Sequence, residues 1–220
     1  MLSSLNKRII TSIILSLLVT LMFFYNYIYI SVIIIASVII WVEFNNLIFR
    51  IFKEKSIRIL FGLLGLSYIT FFVLIMIVDM FMNLNNDKNL ILFFLIICIA
   101  TDLGGFIFGK IFKGKKLTKI SPNKTISGSI GSFILSLLLV PIFYYLFNNL
   151  YIFDLICVSV IVSLSCQIGD LFISYLKRRA KVKDTSNILP GHGGLLDRID
   201  GMLFAIPAGI ITWEFLIKSL

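Results

Sequence analysis

Residues 174–200 bring together the side-chain types that bind phosphate groups and metal ions. They include six of the twenty basic residues, three of the eleven acidic residues, the only histidine and three glycines. Basic side chains hold phosphate oxygens, and carboxylates hold a divalent cation that contacts the same phosphates. The Pro-Gly-His-Gly-Gly run at 190–194 permits a sharp turn, because glycine tolerates positive φ. A loop whose basic residues only set membrane topology would not need these aspartates and glycines.

The chain around this segment is dominated by long apolar runs. It is 59% hydrophobic, whereas ordinary globular proteins are roughly 45–50% apolar. Runs of about 20 apolar residues are typical of transmembrane helices. We therefore predict an all-α, polytopic bundle of about seven spans, with N-terminal helices in 1–100 and a catalytic membrane region in 101–220. The predicted spans are 9–25, 28–49, 59–82, 90–108, 128–147, 155–176 and 202–217.

The distribution of basic residues predicts how these spans are oriented. Eighteen of the twenty lysines and arginines fall at the N-terminus and in alternate loops, and two fall on the opposite side. This asymmetry predicts a cytoplasmic N-terminus, an outer C-terminus and a cytoplasmic position for both long basic loops. The formal net charge of +9 then favours lipid headgroups and anionic substrates as partners, and not nucleic acid.

Two aspartates inside the predicted spans are candidate site residues. A charge at the centre of a bilayer costs ~2.5–3.5 kcal/mol on insertion scales, so each requires an explanation. Asp102 and Asp170 both fall in the predicted cytoplasmic third, close in depth to the basic loops. Gln167, Asp170, Ser174 and Lys177 are spaced to share one helical face. This polar face leads directly into residues 174–200.

The remaining polar and sulfur-containing residues in the spans have simpler interpretations. Glu43, Asp79 and Glu214 lie near span ends, where solvation at the membrane interface is expected to be sufficient. The cysteines lack disulfide or zinc spacing and are expected to be small core residues. They are Cys98, Cys157 and Cys166.

Residues 104–110 fit the start of a P-loop, G-x-x-x-x-G-K, but the interpretation fails. Ile111 stands where Ser or Thr would bind magnesium, and the segment ends an apolar span instead of following a strand. Gly105 and Gly109 are expected to permit close helix packing. In the loop that follows, Ser121, Lys124 and Thr125 offer one cation and two hydroxyls for phosphate oxygens.

The spacing within residues 174–200 resembles the signature of the phosphatidate cytidylyltransferases, also called CDP-diacylglycerol synthases. All fixed positions are present: Ser174, Lys177, Arg178, Lys183, Asp184, His192, Gly193, Gly194, Asp197, Arg198 and Asp200. Residues 101–110 and 121–128 resemble a second conserved region of that family, which helps build a nucleotide pocket. The resemblance covers roughly residues 101–200.

The resemblance implies an integral enzyme of the cell membrane that converts CTP and phosphatidate into CDP-diacylglycerol and pyrophosphate. It implies Mg²⁺ held by Asp170 and Asp197, with Asp200 as a further ligand or an orienting group, and it leaves room for a second, monovalent or divalent cation. The implied catalytic residues also include Lys177, Arg178, Lys183, Asp184, His192 and Arg198, with His192 as a hydrogen-bond donor. The implied substrate-binding residues are Asp102, Ser121, Lys124, Thr125, Ser174, Gly193 and Gly194. Family members are also thought to form homodimers.

Some positions depart from the family pattern, and two other functions remain as alternatives. The family usually has Glu where this chain has Ile173, often Glu at Ser127, and Ser-Gly at 185–186, here Thr-Ser. One alternative is a CTP-dependent lipid-alcohol kinase, which transfers the γ-phosphoryl group and needs a base. The other is an ion-coupled transporter that uses Asp102 and Asp170. The complete signature argues against the kinase, and the lack of an inverted repeat argues against the transporter.

Overall fold

The protein is helical in the computed structural model, which describes residues 4–82, 88–118, 121, 124–146 and 151–217. Within these ranges there is no β-strand, which confirms the all-α prediction. The helices are α1 (Ser4–Phe24), α2 (Asn26–Ile51), α3 (Lys55–Met82), α4 (Lys88–Phe112), α5 (Ile126–Leu138), α6 (Val140–Leu146), α7 (Ile152–Arg179), α8 (Leu196–Ile199) and α9 (Met202–Ile217).

Each predicted span corresponds to a helical segment of the structure. Five segments are long and apolar enough to cross a membrane, namely α2, α3, α4, α5 with α6, and α7. The apolar parts of α1 and α9 are shorter, Arg8–Phe24 and Met202–Leu216. Many large apolar side chains are exposed, including Ile13 and Leu63, as expected of surfaces in contact with lipid. The protein is thus a multi-pass helical membrane protein.

The fifth predicted span is interrupted at Leu139. Pro141 has no backbone N–H, so it cannot donate to the carbonyl four residues earlier in a continuous helix. The backbone tightens instead, with Leu139 N–H donating to Ser136 O over 3.3 Å and Ile142 N–H to Leu139 O over 3.1 Å. The predicted single helix is therefore two helices, α5 and α6, joined at Leu139. Phe147, the predicted end of the span, lies outside the described residues.

The chain divides into two compact units. The first consists of Met1–Phe81 and Leu176–Ile199. It therefore contains α1, α2, α3, the last residues of α7, and α8, which packs against α2. Its fully buried apolar side chains include Leu47 and Ile48 of α2.

The second unit consists of Met82–Tyr175 and Asp200–Leu220. It is built from α4, α5, α6, most of α7, and α9. Its buried core includes aromatic and aliphatic residues of α4 and α7 that have no exposed surface: Phe93, Phe94, Ile97, Leu155, Val158 and Val162.

Helices α4 and α5 approach closely through their glycines. A Cβ atom added to Gly128 would lie 2.7 Å from the Gly105 carbonyl oxygen, and one added to Gly109 would lie 3.1 Å from Thr125 Oγ1. Both distances are shorter than real Cβ contacts normally are. The predicted packing role of Gly105 and Gly109 is confirmed. Residues 104–110 also lie wholly within α4, which confirms that they are not a P-loop.

Two acidic residues assigned to the membrane interface are instead buried. Glu43 is 0% exposed and Asp79 is 5% exposed. Asp79 lies close enough to Tyr29 to interact with it electrostatically. The expectation that interfacial solvation suffices for these carboxyl groups is therefore wrong. It failed because distant parts of the chain cover them in the folded protein.

Candidate active site

The second unit contains a cluster of charged side chains formed by Asp102, Lys124 and Asp170, called here the acidic cluster. Lys124 Nζ forms an ion pair with Asp170 Oδ2, and Ser174 Oγ donates to Asp170 Oδ1 over 3.2 Å. Asp102 is near enough to interact electrostatically with both partners of the ion pair. Two carboxylates and one ammonium from three separate segments therefore form one group.

Hydrogen bonds between helices hold the backbone around the acidic cluster. Thr101 Oγ1 in α4 donates to Ser163 Oγ in α7 over 2.9 Å, and both side chains are buried. Ser132 Oγ in α5 donates to the Thr101 carbonyl oxygen over 2.7 Å. Ser129 Oγ donates to Gln167 Oε1 over 2.5 Å, which joins α5 to α7. These polar contacts fix the relative positions of three helices that would otherwise slide on apolar surfaces.

The loop before α5 positions the other two predicted phosphate ligands. Thr125 is the N-cap of α5, and its hydroxyl accepts from Gly128 N–H over 3.1 Å. Lys124 N–H donates to the Ser121 carbonyl oxygen over 3.1 Å. Of the three residues, Lys124 belongs to the acidic cluster, whereas Thr125 caps a helix and Ser121 supports the loop backbone. Residues 119, 120, 122 and 123 lie outside the described residues.

Asp200 is brought against α7 by Gly169, which the sequence analysis overlooked. A Cβ atom added to Gly169 would lie 2.7 Å from the Asp200 carbonyl oxygen, so a side chain there would push residue 200 away. Asp200 Oδ1 accepts from Gly201 N–H over 2.9 Å. The available signal was a glycine in an apolar helix directly before a predicted site aspartate, since such a glycine often marks a close approach.

The first unit contains the signature loop, residues 180–195, and the following helix α8. The Asp197 carboxylate in α8 accepts several hydrogen bonds that organise this loop. Its Oδ1 accepts from Lys177 Nζ over 2.7 Å. Its Oδ2 accepts from the backbone N–H groups of Thr185 over 2.8 Å and Gly194 over 3.0 Å, and Thr185 Oγ1 is 3.0 Å away. This carboxylate therefore ties both ends of the loop to α7.

These contacts determine the acidity of Asp197. Burial alone raises the pKa of a carboxyl group, because it disfavours the charged form. For Asp197, the hydrogen bonds from Lys177 and from the Thr185 and Gly194 backbone outweigh burial, and the pKa lies below its ordinary value. Asp197 is consequently held as a carboxylate, the form able to bind a cation.

The glycine-rich run forms the predicted turn. Gly191 has φ +80° and Gly193 has φ +88°, a region that strongly favours glycine. Leu189 N–H donates to the Gly193 carbonyl oxygen over 2.9 Å and closes the turn. Arg198 Nε and Nη2 both donate to the His192 carbonyl oxygen, over 3.0 and 2.5 Å. Arg198, predicted to bind phosphate, thus also braces the turn.

Helix α1 contacts the glycine-rich turn, and the sequence did not predict this contact. Arg8 Nε donates to the Gly191 carbonyl oxygen over 3.0 Å. His192 Nδ1 lies 2.6 Å from Thr11 Oγ1, and Nε2 lies 3.4 Å from Ser12 Oγ. The imidazole of His192 thus contacts two hydroxyl groups of α1.

Other predicted positions differ in their exposure. Arg178, Lys183 and Asp184 are exposed, and Gly194 is buried. Ile173, which departs from the family pattern given above, is 3% exposed and belongs to the apolar core of the second unit. Packing there accounts for an apolar residue at this position.

A buried glutamate that the sequence analysis set aside contacts the signature loop. Glu43 of α2 accepts hydrogen bonds from Thr185, Ser186, Leu195 and Leu196. Its position near the end of a span was the only available signal, and that signal indicated interfacial solvation. The donors are more than 140 residues away along the chain, so no local pattern could identify them.

Few side chains in the described part of the chain are placed to bind a metal ion together. Across residues 4–82, 88–118, 121, 124–146 and 151–217, no three acidic, histidine or cysteine side chains group closely enough to hold an ion. The charge of the acidic cluster nevertheless suits a cation, because Asp102 and Asp170 repel each other and Lys124 offsets that repulsion. Magnesium usually takes one or two protein carboxylates and completes its coordination with water and substrate phosphates. The carboxylates of Asp170 in the acidic cluster and of Asp197 in α8 could each serve such an ion, in exchange for their ion pairs with Lys124 and Lys177.

Comparison with known proteins identifies the family. A phosphatidate cytidylyltransferase of Staphylococcus haemolyticus (strain JCSC1435) is 44% identical over 126 residues, which are 56% of this chain and 48% of the relative. The enzymes of that name from Staphylococcus aureus (strain COL) and Staphylococcus epidermidis (strain ATCC 35984) are 42% and 45% identical, over 56% and 53% of this chain and 48% and 46% of the relative. The matched stretch thus spans about half of each relative. Residues 2–216, nearly the entire chain, match the model of the cytidylyltransferase family. The chain therefore belongs to the cytidylyltransferase family, as the signature predicted.

Proposed function

We propose that this protein is an integral membrane phosphatidate cytidylyltransferase, which converts CTP and phosphatidate into CDP-diacylglycerol and pyrophosphate. The observation that carries the proposal is the acidic cluster, in which Asp102 and Asp170 of the membrane-spanning helices α4 and α7 form a charged group with Lys124 of the loop before α5. Charged residues within membrane-spanning helices are energetically costly and are therefore usually functional. The names of the staphylococcal relatives support this substrate pair.

In the proposed reaction, a phosphate oxygen of phosphatidate attacks the α-phosphorus of CTP. The bond from this phosphorus to the oxygen that bridges to the β-phosphorus breaks, and pyrophosphate leaves with the electron pair. Phosphoryl transfers of this kind depend on positioning and charge stabilisation. Lys177, Arg178, Lys183 and Arg198 offset the charge of the reacting phosphates. Asp184, His192, Gly193 and Gly194 shape the loop that carries these cations.

Asp170 and Asp197 are the proposed ligands of Mg²⁺, with Asp200 as a further ligand or an orienting group. A bound magnesium ion would neutralise phosphate charge and polarise the phosphorus that is attacked. Ser174 orients Asp170 through its hydrogen bond. Asp102, Lys124, Ser121 and Thr125 contribute to the nucleotide side of the site, where Lys124 supplies the positive charge next to Asp170.

The orientation in the membrane is part of the proposal. The split of eighteen to two in basic residues supports a cytoplasmic N-terminus and signature loop and an outer C-terminus. We place the protein in the cell membrane, with the site facing the cytoplasm, where CTP is available. Within the chain, residues 101–220 would form the catalytic region and residues 1–100 the N-terminal spans.

The direct test uses the full chain purified in detergent, supplied with CTP labelled at either the α- or the γ-phosphorus and, in separate assays, with phosphatidate or with a lipid alcohol such as a polyprenol. The proposal predicts that α-label enters the lipid fraction as CDP-lipid and that γ-label is released as pyrophosphate. Omission of magnesium should abolish the transfer. Transfer of γ-label to a lipid alcohol would instead establish the kinase alternative, and no transfer of either label would refute both.

A further inference from the structure

Glu43 is an acidic side chain of α2 that is completely buried. Each of its carboxylate oxygens has one backbone and one hydroxyl donor. Oε1 accepts from Ser186 Oγ over 2.5 Å and Leu195 N–H over 3.0 Å. Oε2 accepts from Leu196 N–H over 2.7 Å and from Thr185 Oγ1 over 3.0 Å. A buried carboxylate is costly unless it is hydrogen-bonded, and here all four contacts come from the signature loop and the start of α8.

Small and hydroxyl side chains of the loop make room for this contact. The two hydroxyl donors come from the neighbouring residues Thr185 and Ser186. Gly194 leaves the space that the glutamate occupies, since a Cβ atom there would lie 2.7 Å from Glu43 Oε2. The buried Gly194 thus serves the contact with Glu43.

The contact continues to Asp197, the aspartate at the start of α8. Thr185 Oγ1 lies 3.0 Å from Glu43 Oε2 and 3.0 Å from Asp197 Oδ2. A hydroxyl has one proton, so it can donate to only one carboxylate at a time. Asp197 in turn accepts from Lys177. Glu43 is therefore one shared hydroxyl away from the ion pair that we place in the reaction.

We propose that Glu43 is a positioning residue of the transferase, which holds the signature loop so that Asp197 and Lys177 are presented to substrate. The effect of Glu43 on catalysis rests on the proposed function. Its effect on the conformation of the signature loop rests on the hydrogen bonds alone. Glu43 touches no substrate in this scheme. It acts through Thr185, Ser186 and the backbone N–H groups of residues 195 and 196.

The test compares Glu43→Gln with a variant that loosens the same unit elsewhere. Glutamine keeps the size of the side chain but replaces one acceptor oxygen with an NH₂ group, which faces donors. Gly65→Ala is the matched control, because its Cβ atom would collide with the ring of Phe44, the residue next to Glu43. Two quantities are measured for each purified full-length protein: kcat per folded molecule at saturating substrates, and amide hydrogen exchange of residues 184–197.

We expect Glu43→Gln to lower kcat by at least about 10-fold and to accelerate exchange at residues 195 and 196 by about 10-fold or more. Gly65→Ala should lower the Tm but keep kcat within about 2-fold and leave the loop protected. The double variant Ser186→Ala/Glu43→Gln should lose little more kcat or exchange protection than Glu43→Gln alone, because both substitutions remove the same contact.

The outcomes separate this inference from the proposed function. A Glu43→Gln protein with unchanged kcat, or a Gly65→Ala protein with an equal loss, would show that Glu43 only stabilises the fold. If wild-type protein forms no CDP-lipid, the proposed function fails, and the exchange data still decide whether Glu43 holds the loop. Unchanged exchange at residues 195 and 196 would overturn the inference whatever the activity.

Discussion

Lys177 donates a hydrogen bond to Asp197 over 2.7 Å, which joins the last turns of α7 to the short helix α8. In the proposed reaction both residues have other tasks, since Lys177 faces a phosphate and Asp197 a cation. In this structure each charge is offset by the other. Substrate binding would therefore exchange this ion pair for a contact between Lys177 and a phosphate and one between Asp197 and a cation, so that neither side chain is left with an unpaired charge.

The first prediction concerns Asp170 and Asp197 as a shared metal site. Asparagine keeps the size of each side chain but removes the charge that opposes the cation. We expect Asp170→Asn and Asp197→Asn each to lower turnover by at least about 100-fold, or ~2.7 kcal/mol at the transition state. The double variant should be little worse than either single one, because residues that act as a unit are not additive. CDP-lipid formation across a magnesium titration measures this.

The matched control for these variants is Asp154→Asn. Asp154 lies in the first turn of α7, on the same helix as Asp170 but toward the opposite end. Its replacement by Asn should therefore leave turnover unchanged. Losses that add in the double variant would contradict a shared site, as would wild-type turnover that survives complete removal of divalent metal.

The second prediction concerns pH and stability through Asp197. Its pKa is lower in the folded protein than its ordinary value. The ionised Asp197 carboxylate therefore stabilises the folded protein. This stabilisation is fully present above the pKa of Asp197 in the unfolded chain, about 3.9, and is lost as the pH falls through its pKa in the folded protein. Asp197→Asn should lower the Tm clearly at pH 7, and the difference from wild type should shrink below about pH 4.

Thermal unfolding in detergent at several pH values measures this difference. Asn187→Ala, an uncharged and exposed position in the same loop, should show no such pH dependence. A difference for Asp197→Asn that stays constant down to pH 3 would mean that the carboxylate form carries no special stability.

The third prediction concerns the acidic cluster. We expect Asp102→Asn to fold and insert but to lose most activity, and Lys124→Met to lower kcat/KM for CTP by about 10-fold or more. The reason is that Lys124 supplies the positive charge beside Asp170. Steady-state kinetics with varied CTP measure both effects.

Lys115→Met is the matched control for Lys124, because Lys115 is exposed in the same basic loop. It should behave as wild type. Equal losses at the two lysines would indicate a general effect of loop charge. For Asp102, the matched control is Glu54→Gln, because Glu54 is an acidic residue at an exposed site.

The fourth prediction concerns topology. In a protein whose native cysteines are replaced, single cysteines at Lys115 and Lys181 should react with an impermeant reagent only from the cytoplasmic side. A cysteine at Asn149, which lies outside the described residues, should react only from outside. The physical reason is the strong asymmetry of basic residues between alternate loops. Reaction of positions 149 and 181 from the same side would show that the number of spans is wrong.

Some elements of the fold could be predicted from local sequence because they depend on local properties. The apolar runs predicted the long helices, since a membrane span must satisfy its own backbone hydrogen bonds. Gly105 and Gly109 predicted close packing, because small residues let helix backbones approach. The division of the fifth span at Leu139 also has a local cause, because Pro141 lacks the N–H that a continuous helix would need there.

By itself, the sequence determined the class of protein and the family, because hydrophobic length and motif spacing lie along the chain, and it supplied the candidate reactive side chains that remain a proposal. Only the tertiary structure decided what each side chain contacts. Glu43 was expected at the membrane interface, yet its four donors come from positions 142 to 153 residues away. Arg198, which we propose contacts phosphate, also donates to the His192 carbonyl oxygen, a contact that no local pattern predicts. The reason is that the environment of a charge depends on which distant groups folding brings within hydrogen-bond distance.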